Sequence, residues 1–197
     1  LLIFLIPKEI VSVDKKISPT TPLSGLHSVI GNVTLKEVNP EIFCISIPKK
    51  MDKKVTSEFK RILKFDVPII GQSSLNKNST IRLIKNSLDQ FFILFEKNSE
   101  VAGVIRSLEK DFYITEQSDA WVGIEIFGKS SHNCLERICP LDLSAESFGV
   151  NTAVRTLMEH LNVLIIKTAE DSFLLLSASS SANSFLSAIE TSAQNIA

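Results

Sequence analysis

The residues of this chain best suited to nucleophilic, acid–base or metal chemistry are three histidines and three cysteines. They are His27, His132 and His160, with Cys44, Cys134 and Cys139. No histidine has a cysteine, a second histidine or a carboxylate at the spacing of a metal-binding motif. Cys134 and Cys139 are separated by four residues rather than two. Their spacing therefore favours packed thiols over a zinc or redox pair, and a Cys–His nucleophile pair would have to be assembled by the fold.

Four further residues are candidates for structural or interface roles rather than for catalysis. Arg155 lies inside a predicted strand, where it either extends from a sheet edge into water or anchors a salt bridge between elements or subunits. Asp119 precedes the strand that carries Trp121, and Asp142 lies in a loop; turn or capping roles fit each acid. Trp121, the single tryptophan, is predicted to be a core residue. The residues themselves define no catalytic, cofactor-binding or metal-binding constellation.

Composition and charge narrow the function classes further. Apolar residues make up 44% and charged residues 22% of the 197 residues, which is typical of an ordered globular protein. The 21 basic and 22 acidic residues nearly cancel, so nucleic-acid binding is not expected as the main role. The seven glycines form neither a G-x-G-x-x-G nor a Walker A motif, so no nucleotide cradle is predicted.

The apolar runs and the cysteines of the sequence indicate where in the cell the protein is expected. No apolar run approaches the roughly 18 residues of a membrane span, so no membrane partner is expected. An odd number of cysteines without scaffold spacing predicts reduced thiols. A reducing compartment is where such thiols persist, and the composition therefore predicts a soluble cytoplasmic protein.

Hydrophobic periodicity in the first half predicts alternating strands and helices. The expected elements are a half-buried strand at 43–47, a helix at 55–63, a hairpin of 81–84 and 91–95, and a second helix. That helix is predicted to have Asn98 or Ser99 as its N-cap, Glu100 in its first turn, and Val101, Val104, Ile105 and Leu108 on its apolar face.

The second half gives the same order of elements. These are a strand at 122–126, a short helix capped by Ser130 or Ser131, a strand at 153–158, a hairpin of 163–166 and 173–176, and a final helix with Ala182, Phe185, Leu186 and Ile189 on one face.

The two halves match at one fixed offset. Adding 81 carries Phe43 to Ile124 and carries residues 92–94 onto residues 173–175. One β-α-β-β-α unit is small and leaves a sheet face uncovered, whereas two units can cover each other. The sequence therefore predicts an α+β fold of duplicated β-α-β-β-α units with mixed or antiparallel sheets.

Three segments follow from this pattern. Residues 1–21, with an apolar start and several prolines, are predicted to be an extended N-terminal arm that belongs to an assembly rather than to the core. Residues 22–112 are predicted to form a first α+β subdomain. Residues 113–197 are predicted to form the second.

Four stretches resemble one protein family in order and spacing. They are residues 22–26 (PLSGL), 118–124 (SDAWVGI), 139–143 (CPLDL, followed by Phe148) and 153–157 (AVRTL). Together they resemble the gamma subunit of heterotetrameric sarcosine oxidase, over roughly residues 22–197. The most specific part is the CPLDL segment followed about a dozen residues later by RTL. That family is related to the folate-binding domain of the glycine-cleavage T protein, so the resemblance implies an aminomethyltransferase-like fold.

The resemblance also implies a role inside a complex. The partners would be alpha, beta and delta subunits, and the complex would oxidise sarcosine and pass its one-carbon unit to tetrahydrofolate. In that family FAD, FMN, NAD, tetrahydrofolate and zinc are carried by the other subunits. The resemblance therefore implies a non-catalytic structural subunit that binds no cofactor and has no activity alone.

Two other functions stay open from the sequence. One is a free-standing folate-dependent aminomethyl or methyl transferase, although such enzymes carry a further C-terminal domain for which 197 residues leave no room. The other is a small regulatory or binding module that uses the same α+β frame.

Overall fold

The structure, a computed structural model, describes residues 20–51, 54–96 and 101–197. Its helices are α1 (Val55–Leu63), α2 (Val101–Leu108), α3 (Ser131–Glu136) and α4 (Ala182–Gln194). Its strands are β1 (His27–Ile30), β2 (Val33–Val38), β3 (Glu41–Ser46), β4 (Ser73–Leu75), β5 (Ile81–Lys85), β6 (Gln90–Phe95), β7 (Tyr113–Glu116), β8 (Trp121–Phe127), β9 (Ala153–Met158), β10 (Leu161–Ala169) and β11 (Ser172–Ala178).

The strands form two antiparallel sheets. A six-stranded sheet has the order β1-β2-β8-β11-β10-β9, and a five-stranded sheet has the order β4-β5-β6-β3-β7. Every pairing in both sheets is antiparallel. The predicted α+β class is confirmed, and the sheets are antiparallel rather than mixed.

Three hydrophobic clusters show how the layers stack. One lies between the two sheets and draws on both, with Cys44 and Phe92 from the five-stranded sheet and Leu164 and Ile166 from the six-stranded sheet. A second packs helices α1 and α2 on the outer face of the five-stranded sheet. A third packs α3 and α4 on the outer face of the six-stranded sheet. The order of layers is therefore helices, sheet, sheet, helices, and it buries both faces of each sheet.

The strands and helices with strong periodicity lie where the sequence predicts them. The hairpins β5–β6 and β10–β11 pair as expected, because each combines alternating apolar residues with a polar turn. All four predicted helices are present. The predicted caps Asn98 and Ser99 lie outside the described residues. Ser130 occupies the N-cap position of α3, but its side chain makes no capping hydrogen bond. The hydroxyl of Ser131 donates to the carbonyl of Asp171.

The prediction that strand 43–47 is half-buried is wrong, because both of its faces are covered. Ile45 belongs to the cluster beneath α1 and α2, while Ile42 and Cys44 belong to the cluster between the sheets. Strands β1, β2, β4 and β7 are not predicted by the sequence. The alternation of apolar and polar residues in a single strand does not show whether a second sheet covers the strand's less apolar face.

The predicted halves and the sheets divide the chain differently. Strands β1 and β2 come from residues 22–112 but join the six-stranded sheet, and β7 comes from residues 113–197 but joins the five-stranded sheet. Within the sheets, the orders β4-β5-β6-β3 and β9-β10-β11-β8 follow the chain in the same way. Apart from Thr20 and Thr21, the predicted arm lies outside the described residues.

Across the part of the chain that the structure describes, none of the helices has the length and apolar character needed to cross a membrane.

Candidate functional site

Two of the predicted residues meet at one end of the layer between the sheets. Arg155 on β9 places its guanidinium carbon 5.6 Å from the ring centre of Trp121 on β8. The same guanidinium lies 5.2 Å from the ring centre of Phe92 on β6, in the opposite sheet. The two rings meet edge to face, with centres 5.6 Å apart. We call Arg155, Trp121 and Phe92 the aromatic–arginine cluster. An arginine over two aromatic faces is favourable electrostatically while its charge stays available to a partner.

The aromatic–arginine cluster borders an open cavity of about 470 Å³. Its lining includes Asp119, Trp121, Asn162 and Ala178. Here the six-stranded sheet extends beyond its neighbour, since Asn162 and Ala178 are exposed on the face that elsewhere packs against the other sheet. Leu157, two residues after Arg155 on the edge strand β9, is 49% exposed on that same face. Arginine and tryptophan are enriched at protein interfaces, and here they lie beside an exposed leucine.

Asp119 lies on the short 3-10 turn Ser118–Ala120 beside this cavity. Its backbone carbonyl accepts a hydrogen bond of 2.8 Å from Ser179 Oγ, while its carboxylate is exposed. Ser118 Oγ accepts from the amide of Ile42 at 3.0 Å and so fixes the turn to the five-stranded sheet. The structure therefore brings Asp119, Trp121 and Arg155 to one end of the sheet pair.

Asp142 lies apart from that group and organises a loop. One carboxylate oxygen accepts from the amide of Ser144 at 3.0 Å, and the other accepts from Ser147 Oγ at 2.6 Å. These hydrogen bonds, with the Ser147 hydroxyl contributing most, lower the pKa of Asp142 to about 2. Asp142 therefore has the turn role that the sequence suggests, and it holds Leu143 and Phe148 in the core beneath the six-stranded sheet.

The stretch at 22–26 is anchored by a buried acid that the sequence analysis does not single out. Glu37 on β2 accepts hydrogen bonds from the amides of Leu23 and Gly25, at 2.9 and 2.6 Å, and from Thr21 Oγ1 at 2.7 Å. Leu23 and Leu26 then pack against the cluster beneath α3 and α4. A carboxylate satisfied by several donors is stable when buried.

The cysteines and histidines are not brought together into a reactive site. Burial raises the pKa values of the Cys44 and Cys134 thiols, which disfavours the nucleophilic thiolate. Cys139 is also buried, and all three thiols are free. In residues 20–51, 54–96 and 101–197, no group of three or more His, Cys, Asp or Glu side chains could hold a metal ion.

A larger cleft of about 740 Å³ opens at the other end of the layer between the sheets. Strands β8, β10 and β11 contribute Glu125, Thr168 and Leu174 to it, and the five-stranded sheet contributes Arg82 and Leu94. Arg82 is not among the residues that the sequence singles out, although it lies inside a predicted strand, as Arg155 does. A charged residue inside a predicted apolar strand is the pattern that Arg82 and Arg155 share, and this pattern alone would identify Arg82 as a candidate.

Comparison with solved structures relates this fold to known proteins. A chain of the heterotetrameric sarcosine oxidase from Corynebacterium sp. U-96, in complex with pyrrole 2-carboxylate, matches with a TM-score of 0.76 and 18% identity, over 90% of this chain and 95% of that chain. The glycine cleavage system aminomethyltransferase T from Bartonella henselae matches with a TM-score of 0.64 and 13% identity, over 87% of this chain and 56% of that chain. This chain thus spans little more than half the length of the transferase.

At these identities the likeness establishes a shared α+β fold of the aminomethyltransferase type. No protein-family model matches the chain, and no curated protein sequence matches it significantly.

Proposed function

We propose that this chain is a non-catalytic, gamma-type subunit of a complex that oxidatively demethylates sarcosine and passes the one-carbon unit to tetrahydrofolate. The observation that carries the proposal is a likeness over nearly all of both chains, since 90% of this chain matches 95% of a chain of a heterotetrameric sarcosine oxidase. The four sequence stretches that resemble the gamma subunit support it independently. Alpha, beta and delta subunits are the proposed partners, in the cytoplasm, and they carry the FAD, FMN, NAD, tetrahydrofolate and zinc.

The contacts of those four stretches support a structural role. Residues 22–26 are held by Glu37, residues 139–143 form the loop organised by Asp142, and residues 153–157 form most of the edge strand β9. Residues 118–124 include the turn of Asp119 and the start of β8. These residues form turns, pack or pair strands, and the exposed residues Asp119, Arg155 and Leu157 lie at or beside the aromatic–arginine cluster. That cluster is the proposed contact with the partner subunits.

We also infer that the fold arose by duplication of one unit. The corresponding strand orders β4-β5-β6-β3 and β9-β10-β11-β8 support this inference. So does the offset of 81 residues, which carries β6 (Gln90–Phe95) onto residues 171–176, within or beside β11.

The isolated chain is expected to show no turnover of sarcosine. Purified chain would be incubated with sarcosine, with and without added FAD, FMN and tetrahydrofolate, and hydrogen peroxide and formaldehyde would be measured. We expect rates equal to the buffer background, because the sequence has neither a G-x-G-x-x-G nor a Walker A motif that would hold a flavin or nucleotide phosphate. Turnover that depends on tetrahydrofolate alone would favour a free-standing transferase, and turnover with a flavin would contradict the non-catalytic role.

A further inference from the structure

Arg82 is a buried cation that has no acidic partner among the described residues. Its side chain is on β5, faces the cleft between the sheets and leaves only 8% of the residue exposed. No carboxylate of the described residues lies within 4.0 Å of its guanidinium. Burial lowers the pKa of Arg82 to about 10, so the group stays charged at neutral pH. A buried charge is costly unless it is paired with an opposite charge.

Both hydrogen bonds of Arg82 are donated by one nitrogen of its guanidinium, Nη1. Nη1 donates to Ser73 Oγ at 2.8 Å and to Asn151 Oδ1 at 3.1 Å, which ties the two sheets together. Nε and Nη2 make no hydrogen bond with the described residues. Their N–H groups lie on the same edge of the planar group, and two parallel donors match the two oxygens of a carboxylate.

A second polar group in the same cleft has no hydrogen-bond partner in the described part of the chain. Thr168 Oγ1 is buried and makes no hydrogen bond, the one such side-chain atom among the described residues. Thr168 and Arg82 both line the 740 Å³ cleft, whose volume is within the range of small-molecule sites. Buried polar atoms are nearly always satisfied. The lining of this cleft holds both an unpaired hydroxyl and a cation without an ion pair among the described residues, which favours a polar ligand there.

We propose that the cleft binds a small organic monocarboxylate, whose oxygens pair with Nε and Nη2 of Arg82 and whose body lies on the apolar wall. Leu75, Leu94 and Leu174 supply that wall. Thr168 lies on the same lining, but its Oγ1 is buried, so Arg82 supplies the donors that reach the ligand. The site is distinct from the aromatic–arginine cluster, and nothing in it depends on the proposed subunit role.

The acidic residues of the cleft select the charge of the ligand. Glu96 and Glu125 also line it, and Lys36 adds one exposed cation. Glu37 is part of the same lining, but its side chain is on the outer face of β2, the face of Ile124. The carboxylate of Glu37 is already bound by backbone amides. The two remaining acids disfavour a dianion such as phosphate, whereas a monocarboxylate gains one strong pair at Arg82 with less repulsion.

Binding of benzoate to the full chain tests the proposal. Benzoate, benzamide and inorganic phosphate would be titrated into the chain by calorimetry, because benzamide has nearly the shape of benzoate without its charge. We expect benzoate to bind at least tenfold more tightly than benzamide or phosphate. Arg82→Gln should weaken benzoate at least tenfold, and Arg82→Lys should give an intermediate loss because lysine keeps the charge but not the paired donors.

A matched control and a second measurement keep the test decisive. Arg106→Gln removes an exposed arginine on α2 and should leave benzoate binding unchanged. In the wild-type chain, benzoate should shift the Arg82 Nε–Hε resonance with the same dissociation constant as calorimetry gives, which requires no variant to fold. The proposal is overturned if benzoate does not bind, if Arg82→Gln binds it as well as the wild type does, or if phosphate binds more tightly.

Discussion

Replacing Phe185 by alanine is expected to lower the free energy of unfolding by about 3–5 kcal/mol, the usual cost of removing a buried aromatic ring. Phe185 lies on α4, is completely buried, and shares its core cluster with Ile189 of the same helix and with Val163 and Phe173 of the hairpin β10–β11. The cavity left by the ring would open where α4 meets the six-stranded sheet. Urea unfolding followed by circular dichroism would measure the change.

Ser184→Ala is the matched control, since Ser184 precedes Phe185 on the same helix and is exposed. It should change the free energy of unfolding by less than about 0.5 kcal/mol. A loss below about 1 kcal/mol for Phe185→Ala would mean that α4 does not bury this face, and the layer order described above would be wrong.

Replacing Arg155 by alanine is expected to weaken binding to the proposed partner subunits by about tenfold or more. Arginine and tryptophan at the centre of an interface commonly contribute about 2 kcal/mol each, and every 1.4 kcal/mol is a factor of ten. Arg155 is exposed, so its loss should cost the isolated chain about 1 kcal/mol or less through its contacts with Trp121 and Phe92. Affinity would be measured by biolayer interferometry, with the alpha, beta and delta subunits immobilised as a complex.

Arg106→Ala provides the comparison for this experiment, because it removes an exposed arginine from the outer face of the molecule. It should bind the partner subunits as the wild type does. Equal affinities for the Arg155 and Arg106 variants would place the subunit contact elsewhere and would leave the aromatic–arginine cluster with a role in packing alone.

The sequence predicts those elements whose signal is local. The hairpin β10–β11 and helix α4 carry strong apolar periodicity, and both lie where they are expected. Strand β2 was missed because a glutamate, Glu37, occupies a buried position in its alternation. The backbone amides of Leu23 and Gly25 donate hydrogen bonds to the Glu37 carboxylate and so stabilise its buried charge. The hydrophobic pattern of a single strand does not reveal such donors. Strand β7 was missed because its residues are largely exposed and carry no apolar alternation.

The candidate site depends on how the two sheets are stacked, which no local pattern encodes. Arg82 and Arg155 occupy similar positions in predicted strands, yet one is buried and the other is exposed. Arg155 lies on the edge strand β9, where the six-stranded sheet extends past its neighbour, and Arg82 lies on β5 inside the sheet pair. The grouping of Asp119 with Trp121 was predictable from their closeness in the chain, but the addition of Phe92 from the opposite sheet was not.

We propose that the chain is a subunit of a sarcosine-oxidising complex. Affinity purification of the chain from the organism that produces it tests this proposal most directly. The tagged chain would be isolated under mild conditions, and the eluate would be examined by native mass spectrometry, flavin absorbance and sarcosine-dependent oxygen consumption. We expect the 21.8 kDa chain to co-elute in fixed stoichiometry with larger flavin-bearing subunits and with sarcosine oxidase activity. Elution as a lone chain, or with partners that carry no flavin and do not oxidise sarcosine, would contradict the claim.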